Sequence, residues 1–151
     1  PFKCHFKDGL TPVLESILQA DRLIAGAPIY FDNVPGGFHS FVERISFPAL
    51  SYNDYTSTFP GKVDIDMFFT MNGNEKRWEQ VTKARVSSSL EPLHLLRGEL
   101  RMFPVFNTLQ VKDYSKYEMA SFSEEDKRAA RETEFPKALE HAFKVGARTD
   151  R

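Results

Sequence analysis

Runs of apolar residues alternate along this chain with segments in which apolar residues recur every three or four positions. The apolar run over 23–27 ("LIAGA") predicts a short strand, and "KVDIDMFFTMN" (62–72) predicts a second. A third extended segment, "ELRMFPVFNTLQV" (99–111), is broken by Pro104. Because the first run does not alternate with polar residues, we expect it to be a central strand of a parallel sheet, covered on both faces.

Segments with the apolar spacing of helices lie before and between these strands. Thr11 is a suitable N-cap with Pro12 at the first helical position, which predicts a helix before the first strand. The segment "EKRWEQVTKARV" (75–86) predicts a helix with Trp78 inward, and "SSLEPLHLLRG" (88–98) predicts a second short helix that stops at its final glycine. Between the first two strands, one apolar helical face is formed by Phe38, Phe41, Val42 and Ile45.

The C-terminal part predicts a long helix. Ser123 is its expected N-cap, Pro136 is expected to kink or restart it, and Gly146 is a candidate residue just past its end. The charged residues over 124–134 are expected to form a solvated face. The expected inner face comprises Phe135, Ala138, Leu139, Ala142 and Phe143.

Alternation of helices with strands predicts one α/β domain over 1–151, a three-layer sandwich around a parallel sheet with right-handed crossovers. A doubly wound sheet would carry a strand–helix–strand unit, with its phosphate-binding loop, ahead of the first helix seen here. We therefore expect that the N-terminal βα unit is missing from this sequence.

Composition narrows the classes of function. The net charge of −1 provides no basic field for nucleic acid or an anionic membrane, and no apolar run has the length of a membrane span. The single cysteine, Cys4, excludes an internal disulfide and fits a reducing, cytoplasmic setting. Fourteen phenylalanines indicate heavy aromatic packing.

Two strand ends are candidate ligand loops, because ligands of doubly wound sheets bind beyond the carboxyl ends of the strands. They are residues 28–33 and 70–73. Tyr30 and Phe31 suit a flat, conjugated ligand; alternatively, they cover the sheet edge or pack into a subunit contact, and the pattern does not choose between these. The side chains able to bond the heteroatoms of such a ligand are Asn33, Thr70 and Asn72.

Other motifs give weaker signals. The four histidines have no metal-ligand spacing with one another or with Cys4, so no metal site is expected. Asp64 and Asp66 share one side of a strand, near its start, and we expect them to lie on a solvated face.

Several segments resemble the NADPH-dependent FMN reductase family, which includes the iron–sulfur flavoproteins. The main likeness is "ADRLIAGAPIYFDNVPGGFHSFVERI" (20–45), with its Pro-x-Tyr-Phe loop and its final acid–arginine pair. "TMNGNE" (70–75) resembles the next flavin loop, and "NTLQVKDYSKYE" (107–118) and "FPKALEHAFKVGARTD" (135–150) resemble the tail. The likeness extends from about Cys4 to Gly146.

The resemblance implies a flavodoxin-like fold, usually dimeric, with FMN at the strand ends and NAD(P)H as co-substrate. No catalytic side chain is implied, because the cofactor carries the chemistry. The residues placed along or near the flavin ring are Pro28, Ile29, Tyr30, Phe31, Asn33 and Val34. Those placed at its pyrimidine side are Thr70, Met71 and Asn72.

The expected function is therefore an FMN-dependent NAD(P)H oxidoreductase that passes electrons to a quinone, a free flavin or another small acceptor. An iron–sulfur cluster would require further cysteines ahead of Pro1, with Cys4 as the last of the set. The alternatives are a non-catalytic flavodoxin-like binding or dimerising module and a one-electron carrier. A homodimer or higher oligomer is expected, with the helix from Phe38 and the loop through Tyr52 and Tyr55 as a candidate subunit contact.

Overall fold

The computed structural model describes residues 4–147, which form an open parallel sheet of three strands with helices on both faces. The strands are β1 (Arg22–Pro28), β2 (Val63–Thr70) and β3 (Arg97–Val105), in the order β1-β2-β3. This is the flavodoxin-like α/β arrangement that the sequence predicts. It brings the carboxyl ends of all three strands to one edge of the sheet.

The prediction that the first strand is central is wrong within the described residues. β2 occupies the centre, and β1 lies at an edge with Ile24 48% exposed. An apolar run indicates that a strand lacks an alternating polar face, but it does not specify how many neighbours that strand has. The more polar strand takes the centre because its two aspartates are satisfied there by neighbouring strands.

Asp66 shows how. The prediction that it is solvated is wrong: its side chain is fully buried and binds two arginines of the flanking strands. The Arg22 guanidinium donates from Nε to Oδ2 at 2.6 Å, and the Arg101 guanidinium donates from Nε to Oδ1 at 2.7 Å. Asp64 is half-buried and accepts a hydrogen bond from the backbone N–H of Glu99. Burying Asp66 would be unfavourable without these paired charges.

The first two helices pack on the face of β2 opposite the one that carries Asp66. α1 is Thr11–Ile17 and α2 is Gly36–Ser46, followed by a 3₁₀ turn, Phe47–Ala49. Thr11 begins α1 rather than capping it: its hydroxyl donates to the Phe6 carbonyl, and Leu10 is the N-cap. The core under these helices is mainly aliphatic and includes Leu14, Val42, Ile45, Val63, Ile65, Met67 and Phe69.

One continuous helical stretch replaces the two helices expected between β2 and β3. It comprises α3 (Glu75–Arg77), a π-helical turn (Trp78–Thr82) and α4 (Lys83–Leu90), and it continues as a 3₁₀ segment, Glu91–Leu96. The stretch ends at Arg97, whose φ is 63°, rather than at the glycine that follows.

α5 (Glu124–Thr133) and α6 (Phe135–Ala147) complete the chain after a short 3₁₀ turn, Tyr114–Lys116. The Ser123 cap is confirmed, because its hydroxyl accepts from the Asp126 N–H at 3.1 Å, and the helix restarts at the Phe135–Pro136 step as expected.

The expected inner face of α6 is only partly right. Leu139 and Phe143 are exposed, whereas Val145 is buried, and Gly146 lies inside the helix. His141 places α6 on the opposite face of the sheet from α2, because its ring lies 5.3 Å from that of Phe103. No helix of the described part is long and apolar enough to cross a bilayer.

Candidate functional site

The two candidate ligand loops meet at the carboxyl edge of the sheet. Pro28 and Thr70 are directly paired in the register of β1 and β2, and the Ile29 N–H donates to the Thr70 carbonyl at 2.9 Å. Two loops that are 40 residues apart in sequence therefore form one surface, as the sequence prediction requires.

The first loop is a tight turn that presents two aromatic rings. Tyr30 and Asn33 exchange both backbone hydrogen bonds, at 2.9 and 3.0 Å, while Phe31 and Asp32 have φ values of 52° and 63°. Two successive left-handed residues closed in this way form a type I′ turn, which normally favours glycine or asparagine. At the tip of this turn Phe31 is 98% exposed, and Tyr30 beside it is 61% exposed.

Asp32 holds this turn in place, a role that the sequence interpretation missed. Its carboxylate accepts from Arg77 Nε at 2.9 Å and from the Thr82 hydroxyl at 2.8 Å, and Arg85 lies 3.8 Å away. These contacts hold the pKa of Asp32 below its usual range, the Arg77 hydrogen bond most of all, against the opposing effect of partial burial. An acid in the middle of a glycine-poor turn is a signal that could have identified it, since Asp tolerates positive φ.

Two of the predicted ring contacts point away from the exposed surface. Asn33 is occupied internally, because its Oδ1 accepts from the Val34 N–H and the Ser89 hydroxyl, both at 2.9 Å. Val34 is buried in the core. In this structure their side chains support the turn from beneath, and their proximity to a ligand stays a prediction.

The second loop contains a buried polar atom without a partner. Oδ1 of Asn72 is inaccessible and accepts no hydrogen bond from the described residues, whereas Thr70 beside it is exposed and Met71 is buried. The loop is fixed from β3, since the Met71 N–H donates to Val105 O and the Thr108 N–H donates to Met71 O, both at 3.0 Å. Buried polar groups are normally satisfied, so an unpaired acceptor in a rigid loop suits a ligand with an N–H donor.

These features fit a flavin. Its ring system is flat and apolar enough to lie on Tyr30 or Phe31. The imide N–H of its pyrimidine end is a donor of the kind that could bind Oδ1 of Asn72, which has no partner among the described residues. The residues that would hold it are the exposed rings of the turn and the 70–72 loop.

A second polar cluster lies away from this edge. Arg44 forms a two-point contact with Asp8 at 2.7 and 3.0 Å, and this hydrogen bonding lowers the pKa of Asp8 to about 2. Cys4 lies against the same guanidinium. No three His, Cys, Asp or Glu side chains within 4–147 are grouped so that they could hold a metal ion.

Comparison with known proteins identifies one family. No match was found among curated proteins. The model of one family, described as NADPH-dependent FMN reductase, matches residues 1–125, which include β1, β2, β3 and both candidate loops. The remaining residues, with most of α5 and all of α6, lie beyond the match. Because the match covers most of the chain, this chain belongs to the NADPH-dependent FMN reductase family.

Proposed function

We propose that this protein binds FMN between residues 28–34 and 70–72 and acts as an NAD(P)H oxidoreductase that delivers electrons to a quinone, a free flavin or another small acceptor. The observation that carries the proposal is the rigid turn at the carboxyl edge, with Phe31 98% exposed at its tip. A fully exposed phenylalanine on strained backbone is unfavourable in isolation, and such strain is concentrated at functional sites.

The turn is suited to positioning a flat ring. Because Asp32 is tied to Arg77 and Thr82, the backbone beneath Tyr30 and Phe31 is fixed before any ligand arrives. Preorganisation of this kind reduces the entropy lost on binding. Tyr30 and Phe31 therefore provide the stacking surface, and Pro28 and Ile29 connect it to the sheet.

The 70–72 loop supplies polar recognition. Asn72 carries an unpaired acceptor, which would meet a ligand once its side chain turns towards the surface, and Thr70, two residues earlier, is exposed. Bound FMN would supply the hydride and electron chemistry, so the side chains around it need only bind, orient and exclude water. We assign no side chain as a general acid or base.

A separate surface favours an additional role in association. Phe47 and Tyr52 are both exposed with their rings edge-to-face at a centroid distance of 6.1 Å, and Tyr55 is exposed on the same loop. We propose that this aromatic surface joins two copies of the chain in a homodimer. In the alternative that the protein is a non-catalytic dimerising module, this aromatic surface would be its functional site. We place the protein in the cytoplasm, as its single thiol suggests.

Titration with FMN tests the flavin site directly. We expect the protein to bind FMN with a change in the flavin absorption spectrum and quenched flavin fluorescence. Tyr30→Ala and Phe31→Ala should each weaken binding about threefold to tenfold, the worth of one aromatic stacking contact. Tyr55→Ala is the matched control, an equally exposed tyrosine at positive φ on another loop, and should leave affinity unchanged. A protein without FMN affinity would contradict the proposal.

The reaction is tested by following NADPH and NADH oxidation by the FMN-loaded protein with a quinone or free flavin as acceptor. Steady turnover supports the oxidoreductase. Flavin binding without turnover would instead support the one-electron carrier.

A further inference from the structure

A small cavity opens at the same edge of the sheet, next to the second candidate loop. Its walls include Thr70 at the end of β2, Asn107 and Thr108 after β3, and Arg131 and Phe135 at the junction of α5 and α6. The rest of the lining is apolar: Phe106, Leu109 and Ala130. Its volume is about 200 Å³. That is several times the ~30 Å³ occupied by one water and less than the ~300–1,000 Å³ of a complete ligand pocket. The size suits one group of a larger ligand.

Two cations of α5 face this region one helical turn apart. Lys127 is only 1% exposed, and its ammonium donates to Asn107 Oδ1 and to the Thr108 carbonyl, both at 3.2 Å. Arg131 lines the cavity itself. Neither forms an ion pair with a carboxylate of residues 4–147, whereas most other arginines of that range do.

The Arg131 guanidinium lies over an aromatic ring. Its central carbon lies 3.9 Å from the centroid of the Phe135 ring. This cation–π contact restrains the guanidinium, and no acceptor among the described residues takes a hydrogen bond from its N–H groups. A guanidinium with free N–H groups can bind phosphate oxygens with two parallel hydrogen bonds.

Neutral donors complete the set. Because Asn107 Oδ1 accepts from Lys127, the amide nitrogen of Asn107 remains available, and it donates to no acceptor in the described chain. The hydroxyl of Thr70 is likewise free of hydrogen bonds in the described part. No carboxylate of the described residues lines this cavity, and Glu134, which lines the adjoining one, is bound to Lys137 at 2.8 Å. The cavity therefore combines unpaired positive charge with hydrogen-bond donors.

We propose that this cavity binds a phosphoryl group of the nucleotide used at the adjoining site, with Arg131 as its main ligand and Lys127 as the buried positive charge that holds Asn107 in position. The nucleotide is either FMN or the nicotinamide dinucleotide; both present a phosphate, and the experiment separates them. The identity of the nucleotide rests on the proposed function, but the anion site does not.

Binding of inorganic pyrophosphate, measured by calorimetry, tests the anion site without any flavin. Arg131→Met removes the charge from an exposed side chain and keeps an unbranched apolar stem that is a good helix former, so we expect the variant to fold. We expect it to weaken pyrophosphate binding at least about tenfold, as loss of a charge-assisted two-point contact should, and Arg131→Lys should recover part of that loss. Arg128→Met is the matched control, one turn earlier on α5 and paired with Glu124. Absence of pyrophosphate binding, or equal losses in the Arg131 and Arg128 variants, would overturn the inference.

Two further titrations identify the source of the phosphate. If the flavin occupies the cavity, Arg131→Met should reduce the preference for FMN over riboflavin, which lacks the phosphate. If the dinucleotide occupies it, that preference should be unchanged and NADP⁺ binding should weaken instead. An Arg131→Met variant with both affinities intact would overturn the inference. A protein that binds pyrophosphate through Arg131 but no flavin would overturn only the proposed function.

Discussion

Lys127 shows what the environment does to one side chain. In the sequence it stands among acids and bases that predict a solvated helix face, and that prediction is wrong for this position, because its ammonium lies buried under the loop that follows β3. It is held there by Asn107, by Thr108 and by the Phe122 ring, 5.2 Å from the nitrogen. Burial without a counter-ion lowers the pKa of Lys127 below its usual value near 10.5.

The buried ammonium of Lys127 makes the stability of the protein depend on pH. The unfolded chain binds the lysine proton more tightly than the folded chain, so the free energy of unfolding of the wild type should rise as pH increases through the folded-state pKa towards 10.5. Lys127→Met lacks this titration. Its stability relative to the wild type should therefore fall over that range, by about 1.4 kcal/mol per unit of pKa shift. Urea unfolding from pH 7 to pH 10 measures the free energy of unfolding of both proteins. A difference between the two proteins that does not change with pH would contradict the expectation.

Between β2 and β3 the close packing of two strands depends on a single glycine. A Cβ added at Gly98 would overlap the carbonyl of Val63, at the point where the register of the two strands shifts. The sequence suggests a helix stop at Gly98, but the helical segment ends one residue earlier, at Arg97. The glycine is required by the neighbouring strand rather than by its own turn.

Substitution of this glycine tests that interpretation. Gly98→Ala should destabilise the protein by about 3 kcal/mol, because backbone rather than a flexible side chain must move. Gly37→Ala, in the first turn of α2 where a Cβ meets open space, should leave stability unchanged or raise it by up to about 1 kcal/mol. Thermal or urea unfolding compares the two variants, and equal effects would contradict a packing role for Gly98.

For the whole molecule, the exposed aromatic surface of Phe47, Tyr52 and Tyr55 is a feature that the monomer leaves unexplained. It follows the C-terminal end of α2, whereas the candidate flavin loop over 28–34 precedes the N-terminal end of that helix. Contiguous exposed aromatic residues are typical of interaction sites. The proposed homodimer accounts for them and leaves the candidate flavin site open.

Sedimentation measures the proposed association. The wild-type protein should be dimeric, and Tyr52→Arg should shift it towards monomer by placing a charge in the aromatic contact. Tyr117→Arg, at a comparably exposed tyrosine in another part of the chain, is the control and should remain dimeric. A monomeric wild type at high protein concentration would contradict the proposed dimer.

Local chemistry was sufficient to predict most element types, the Ser123 cap and the two loops that follow β1 and β2, whose binding of a ligand stays a prediction. Apolar period, capping residues and the Pro-x-Tyr-Phe sequence each act over a few neighbouring residues, so the sequence carries them directly.

Only the tertiary structure decided which strand is central, why Asp66 is buried, and where Lys127 and Arg131 lie. Each of these depends on partners distant in sequence. Asp66 depends on Arg22, 44 residues before it, and on Arg101, 35 residues after it, and Lys127 depends on a loop about 20 residues before it. From the sequence alone, a charged residue is predicted to be solvated. Whether it can be buried depends on the partners that bind it, because the free energy of burial is set by the residue together with those partners.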